Sequence, residues 1–279
     1  MLPQNKHNPM MIRFLVLCAL SLSVCWAGES GSASLNAGSP ATPEHLELFL
    51  LVGQSNMAGR GVLAASDRQP DPRILVFGKD DRWVSQGEPI HFDKPEIAGV
   101  GLGFTFARIV ADQMPGITVG LVPCAVGGTP ISRWKPGGDL FEEAVRRAKL
   151  AKRAGRLRGI LWHQGESEAS GVTSSDAYRK SLVEVVNGFR KALEQPEVPF
   201  IVGEIGQYTM EEGHVPKFPS ARQINEAIDD LPAFVPCAAV VSSSGLGDKG
   251  DGVHFSAEAL KELGKRYFEA WLSVAQPGR

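Results

Sequence analysis

The sequence predicts an α/β fold with a mainly parallel sheet covered on both faces, from two observations. Apolar runs of strand length alternate with amphipathic stretches of helical length, a pattern that implies βαβ crossovers. Polar clusters follow four of these runs, and in such a sheet ligands sit at the carboxyl ends of the strands. The strand-like runs are Leu46 to Val52, Arg73 to Phe77, Ile117 to Pro123, Leu157 to His163, Val198 to Glu204 and Val235 to Ser242. Helical stretches lie at Gly103 to Gln113, Leu140 to Ala154, Asp176 to Glu194 and Ser220 to Asp230. A final helix is the best defined: Leu260, Leu263, Gly264, Tyr267, Phe268 and Trp271 recur at three- and four-residue spacing behind the capping residue Ser256.

Ahead of the first run, Lys6, His7 and Arg13 precede the apolar stretch Phe14 to Val24, and Cys25-Trp26-Ala27 closes it with small residues at the cleavage positions. Residues 1–27 therefore read as a secretory signal, too short in its apolar part to span a bilayer, and the expected location is secreted or periplasmic rather than lipid-anchored. Residues 28–44, rich in Ser, Gly, Ala and Pro, read as a flexible linker, and residues 45–276 as one domain with no transmembrane segment. Cys124 and Cys237 are the cysteines of the mature chain, and the sequence leaves open whether they pair. A formal net charge of −2, from 29 basic and 31 acidic residues, gives no electrostatic reason to bind nucleic acid.

The first strand runs into Gly53-Gln54-Ser55-Asn56-Met57, so a serine stands at a glycine-marked turn where such a sheet presents a nucleophile. A serine hydroxyl needs a base, and His254 is the candidate; Asp251, three residues earlier, is placed to orient its imidazole. The other reading of these residues is a polar turn, a surface turn and a hydrogen-bonded histidine at a helix start. Their joint order and topology favour catalysis. The candidate oxyanion donors are the backbone N–H of Ser55, a backbone N–H of Gly127 or Gly128, whose other reading is a tight turn, and the side-chain amide of Gln164, which would be costly to bury unpartnered at the end of so apolar a strand and so faces either a loop backbone or a substrate. Glu166, a second carboxylate on the same rim, is a possible auxiliary acid or a structural acceptor. Gln54 and Asn56 beside the serine are candidate substrate contacts, and Trp134 reads equally as an aromatic platform for a sugar ring or as a loop tryptophan packed on its own domain. His163 reads as a structural histidine, and with Glu166 it is too sparse for a metal site.

The blocks Gly53-Gln54-Ser55-Asn56-Met57, Gly127-Gly128-Thr129, Trp162-His163-Gln164-Gly165-Glu166-Ser167 and Asp251-Gly252-Val253-His254 together resemble the SGNH hydrolase superfamily, and within it the sialate O-acetylesterase and acetylxylan esterase branch. Gln54 stands where the wider superfamily has an aspartate, a departure that this branch shares. The resemblance implies a flavodoxin-like three-layer α/β/α sandwich and deacetylation of a carbohydrate without metal or other cofactor. It also implies Ser55 as nucleophile, and Gln164 in the place of the superfamily's oxyanion asparagine. A lipase or thioesterase on the same fold, and a carbohydrate-binding protein that has lost catalysis, are the competing readings.

Overall fold

The computed structural model describes residues 45–275; the expected signal sequence and linker lie outside them. Seven strands form one sheet in the order β3-β2-β4-β1-β5-β6-β7. They are β1 (Leu46–Gly53), β2 (Ile74–Phe77), β3 (Trp83–Val84), β4 (Val119–Pro123), β5 (Gly155–His163), β6 (Phe200–Gly203) and β7 (Ala238–Val241). All pairings are parallel except the antiparallel pair β2–β3 at one edge. The expected runs recur as β1, β2 and β4 to β7 with shifted ends. The two-residue β3, too short to carry a periodic signal, was not foreseen.

The helices are α1 (Ser55–Ala58), α2 (Gly103–Gln113), α3 (Asp139–Ala151), α4 (Glu166–Ala169), α5 (Ser175–Ala192), α6 (Ala221–Asp229) and α7 (Ala257–Val274). Side chains alternate across a strand, and β1 shows how the sheet divides the core. Leu46, Leu48, Leu50 and Val52 pack with Phe141 of α3, Leu182 and Val185 of α5 and Ile224 of α6. Phe49 and Leu51 face the other way, onto Phe106 and Val110 of α2 and Leu263 and Trp271 of α7. Phe49 meets Phe106 edge-on with ring centroids 4.7 Å apart. The result is the expected three-layer α/β/α sandwich, and no described helix is long and apolar enough to cross a membrane.

α7 starts where the sequence places it, with the Ser256 hydroxyl accepting from the Ala259 N–H at 3.1 Å. Its apolar stripe Leu260, Leu263, Tyr267, Phe268 and Trp271 is buried. Cys124 and Cys237 are both free thiols.

The chain leaves the sheet's central strand at Gly53, which has φ 130°. A Cβ there would lie 2.1 Å from the His163 carbonyl oxygen on the neighbouring strand, so only glycine fits. That same carbonyl accepts the Gln54 N–H at 2.9 Å, and α1 begins one residue later at Ser55. Gly53→Ala is therefore expected to destabilise the fold by about 2 kcal/mol or more. Chemical denaturation checks this, and a wild-type midpoint would contradict it.

Candidate active site

Four strand ends bring the site together. Ser55 follows β1, Gly127 and Gly128 follow β4, Gln164 and Glu166 follow β5, and Asp251 and His254 lie between β7 and α7. Ser55 and His254 are 199 residues apart in sequence, yet the serine Oγ lies 3.0 Å from His254 Nε2. His254 Nδ1 lies 2.8 Å from Asp251 Oδ2, within hydrogen-bond distance. The other carboxylate oxygen of Asp251 accepts the N–H groups of Val253 at 2.9 Å and His254 at 2.8 Å.

The histidine loop is itself braced. The Lys249 N–H donates to the His254 carbonyl at 2.8 Å, and the Ser256 N–H to that of Gly247 at 3.1 Å. The Val253 carbonyl accepts both the Tyr208 hydroxyl at 2.9 Å and Asn56 Nδ2 at 3.1 Å. A cleft of about 340 Å³ opens over Ser55 and His254, lined also by Gln54, Arg60, Gly128 and Lys217.

Electrostatics favour a neutral imidazole beside an ionised acid. Burial pushes the His254 pKa down, and the Asp251 carboxylate opposes this only in part, while Lys249 and Arg60 push the same way as burial. Burial pushes the Asp251 carboxyl up, but the N–H groups of His254 and Val253 and the imidazole outweigh it, leaving its pKa well below the usual carboxylate range.

The oxyanion side differs from expectation. Gln164 is fully buried. Its Nε2 is turned to Thr129 O at 3.1 Å, Gln54 Oε1 at 3.2 Å and Glu168 Oε2 at 2.5 Å, and its Oε1 accepts the Tyr178 hydroxyl at 2.9 Å. The amide foreseen as an oxyanion donor thus spends its hydrogens inside the protein, because α4 and α5 bring acceptors and a phenol over the end of β5. The Gly127 N–H donates to Asp93 Oδ2 at 2.8 Å. Gly128, with φ 75°, has open space where a Cβ would sit. Ser55 is the first residue of α1, so its N–H has no intrahelical partner. Gln54 lines the cleft, with its carboxamide oxygen held by Gln164 Nε2 and by the Ser167 hydroxyl, each at 3.2 Å.

Three further expectations are corrected. Trp134 is no sugar platform: it is fully buried, edge-on to Trp162 with centroids 5.7 Å apart, and its Nε1 donates to Thr129 Oγ1 at 3.1 Å. Asn56 is no substrate contact, being fully buried with both ends of its carboxamide engaged within the protein. Glu166 is not a second acid in contact with His254: its Oε1 accepts from Asn56 Nδ2 instead. His163 is structural, its Nδ1 lying 3.1 Å from the Tyr267 hydroxyl. Sequence reasoning also missed the ion pair Arg60–Asp93, 2.6 Å long with each side chain 1% exposed. Asp93 lies 33 residues beyond Arg60, with no local signal to join them. Among the described residues, no group of three or more His, Cys, Asp or Glu side chains is placed to hold a metal.

The site is thus a serine, a histidine and an aspartate in hydrogen-bond succession at the strand ends of a three-layer α/β/α sandwich. The family described as "Carbohydrate esterase, sialic acid-specific acetylesterase" matches residues 45–273. The chain belongs to that family and is a carbohydrate acetylesterase. A "probable carbohydrate esterase" of Arabidopsis thaliana is 32% identical over 254 residues, 84% of this chain and 93% of the relative. The solved structure of an Arabidopsis thaliana protein superposes with TM-score 0.74 at 30% identity, covering 83% of this chain and all (100%) of that one. NanS shares the fold with TM-score 0.66 at 18% identity, over 83% of this chain and 98% of its own. Axe2, an acetyl xylan esterase from Geobacillus stearothermophilus, does so with TM-score 0.51 at 12% identity, over 85% and 100%.

The pH dependence follows from the His254 environment. If His254 serves as a general base it must be neutral, and activity is then expected to fall as pH drops through the histidine pKa. Because that pKa is lowered from 6.5, the acid limb of kcat/KM is expected below pH 6.5. Lys249→Met removes a charge that depresses it, so the limb should move up in pH. A pH–rate profile checks both, and a limb that stays in place in Lys249→Met contradicts the electrostatic account.

Proposed function

We propose that this carbohydrate acetylesterase works through an acyl-enzyme on Ser55, with His254 as general base and then general acid, and Asp251 fixing the imidazole tautomer. The observation that carries this is the continuous contact Ser55 Oγ to His254 Nε2 at 3.0 Å and His254 Nδ1 to Asp251 Oδ2 at 2.8 Å. His254 takes the hydroxyl proton as Oγ attacks the acetyl carbon. It returns the proton to the leaving sugar oxygen, and then activates water to release acetate. The developing oxyanion is met by the N–H groups of Ser55 and Gly128 and by the side-chain amide of Gln54, whose oxygen is already held by Gln164 and Ser167.

The substrate is an O-acetylated sugar or polysaccharide, of the acetylxylan or O-acetylated sialic acid type; the family description supports this class. The signal-like leader supports action outside the cytoplasm on extracellular or periplasmic glycans.

Ser55→Ala is expected to lower kcat on an acetyl ester by roughly three orders of magnitude or more with the fold intact. Steady-state kinetics across acetylated xylan, acetylated sialic acid and acetylated monosaccharides both test the nucleophile and identify the substrate. Wild-type turnover by the folded variant would end this reading.

Gln54→Leu is expected to lower kcat about a hundredfold with little change in KM, as for a donor that acts on the transition state. A rise in KM at constant kcat would instead make Gln54 a ground-state substrate contact.

A further inference from the structure

Asn56 is the residue after the proposed nucleophile, but its side chain turns away from the cleft into the protein. There it spans the gap to the histidine loop. Its Oδ1 accepts the Phe255 N–H at 3.1 Å, and its Nδ2 donates to the Val253 carbonyl at 3.1 Å. Val253 and Phe255 are the two residues that flank His254. One carboxamide in the serine's own short helix therefore grips the histidine backbone on both sides.

That grip works only one way round. Rotated by 180° about its terminal torsion, the carboxamide would set its NH₂ against the Phe255 N–H and its oxygen against the Val253 carbonyl, two repulsive contacts. Glu166 Oε1 accepts the remaining hydrogen of Asn56 Nδ2 and so selects the productive orientation. Glu166 is 3% exposed. It faces His163 Nε2 at 4.0 Å and makes no bond to His254, so its influence on the base passes through Asn56.

We propose that Asn56 is a positioning residue that sets the reach of His254 to Ser55, and that Glu166 is the acceptor that fixes the orientation of Asn56. The assignment rests on the Ser55–His254–Asp251 reading above. A carboxylate and a carboxylic acid both present an acceptor oxygen, so Glu166 acts here as an acceptor rather than as a charge. Burial pushes its pKa up to about 7, and the role is the same on either side of that value.

Three features separate positioning from general support of the fold. Displacing a general base by about 1 Å costs roughly a hundredfold in rate, so Asn56→Ala should lower kcat on an acetyl ester by about that factor with KM within about threefold of wild type. Glu166→Gln keeps an acceptor oxygen and should stay within about threefold of wild-type kcat, whereas Glu166→Leu should lose about tenfold or more. Because Glu166 acts through Asn56, the double variant Asn56→Ala/Glu166→Leu should be no slower than Asn56→Ala alone.

Steady-state kinetics on the four variants, with Ser55→Ala alongside, make the test. Wild-type kcat in Asn56→Ala, equal damage in Glu166→Gln and Glu166→Leu, or losses that multiply in the double variant would each overturn the proposal. If Asn56→Ala does not fold, the isosteric Asn56→Asp replaces it; that change keeps the acceptor for Phe255 and loses both donations. A tenfold or greater fall in its kcat supports the proposal, and wild-type kcat overturns it. Turnover by Ser55→Ala would overturn the triad reading and this inference with it. An inactive Ser55→Ala beside a fully active Asn56→Ala would defeat this inference alone.

Discussion

The active cleft depends on one long-range closure: the turn after the central strand must meet the loop before the last helix, 199 residues later, at a separation of 3.0 Å. Each side is anchored by a different part of the fold. Ser55 is held by β1, which pairs with β4 and β5 in the middle of the sheet. His254 is held by a loop whose far end is the capped start of α7, and α7 packs its apolar stripe on the face that buries Phe49 and Leu51. Register of the sheet and seating of one helix therefore fix the Ser55–His254 distance, on which the proposed proton transfer would depend steeply.

Between these anchors lies a layer of buried polar groups rather than apolar packing. Asn56, Gln164 and the Arg60–Asp93 pair all lie close beneath the cleft, and their hydrogen bonds join segments far apart in sequence. Such groups are costly when left half-satisfied: removing one partner of a buried ion pair costs about 3–5 kcal/mol. Arg60 Nε and Asp93 Oδ1 are buried without a hydrogen-bond partner, but the bonds that are made cross-link the layer and hold dipoles in place before any substrate arrives, which is the condition for electrostatic stabilisation of a transition state. Arg60 also couples the layer to the chemistry. Its charge is one of those that lower the His254 pKa, while its guanidinium holds Asp93, which in turn holds the Gly127 N–H.

Much of this was legible in the sequence because it is written locally. The apolar runs that became β1 and β4 to β6 are continuous, as strands buried on both faces must be, and the stripe of α7 repeats behind a serine cap. Ser55, Asp251 and His254 could be picked out because strand-end position and a three-residue spacing are local signals. The direction in which a polar side chain points is not local. The sequence leaves open whether Trp134 meets a sugar or packs on its own domain, and whether Gln164 meets a substrate or a loop backbone; both turn inward because Thr129, Glu168 and Tyr178 reach them from other segments. The same holds for Asp93, whose partner Arg60 lies on a different loop. Residue type shows that a buried polar group needs a partner, but only the fold shows which one.

In the proposed mechanism the acetyl group passes through Ser55, and it can be trapped there by quenching the enzyme with acid milliseconds after mixing with an activated acetyl ester and mapping the acetyl group by peptide mass spectrometry. A burst of released alcohol stoichiometric with enzyme is expected, together with acetylation confined to the Ser55 hydroxyl. Acetyl on another side chain, or alcohol and acetate released in step with Ser55 unmodified, would contradict the mechanism.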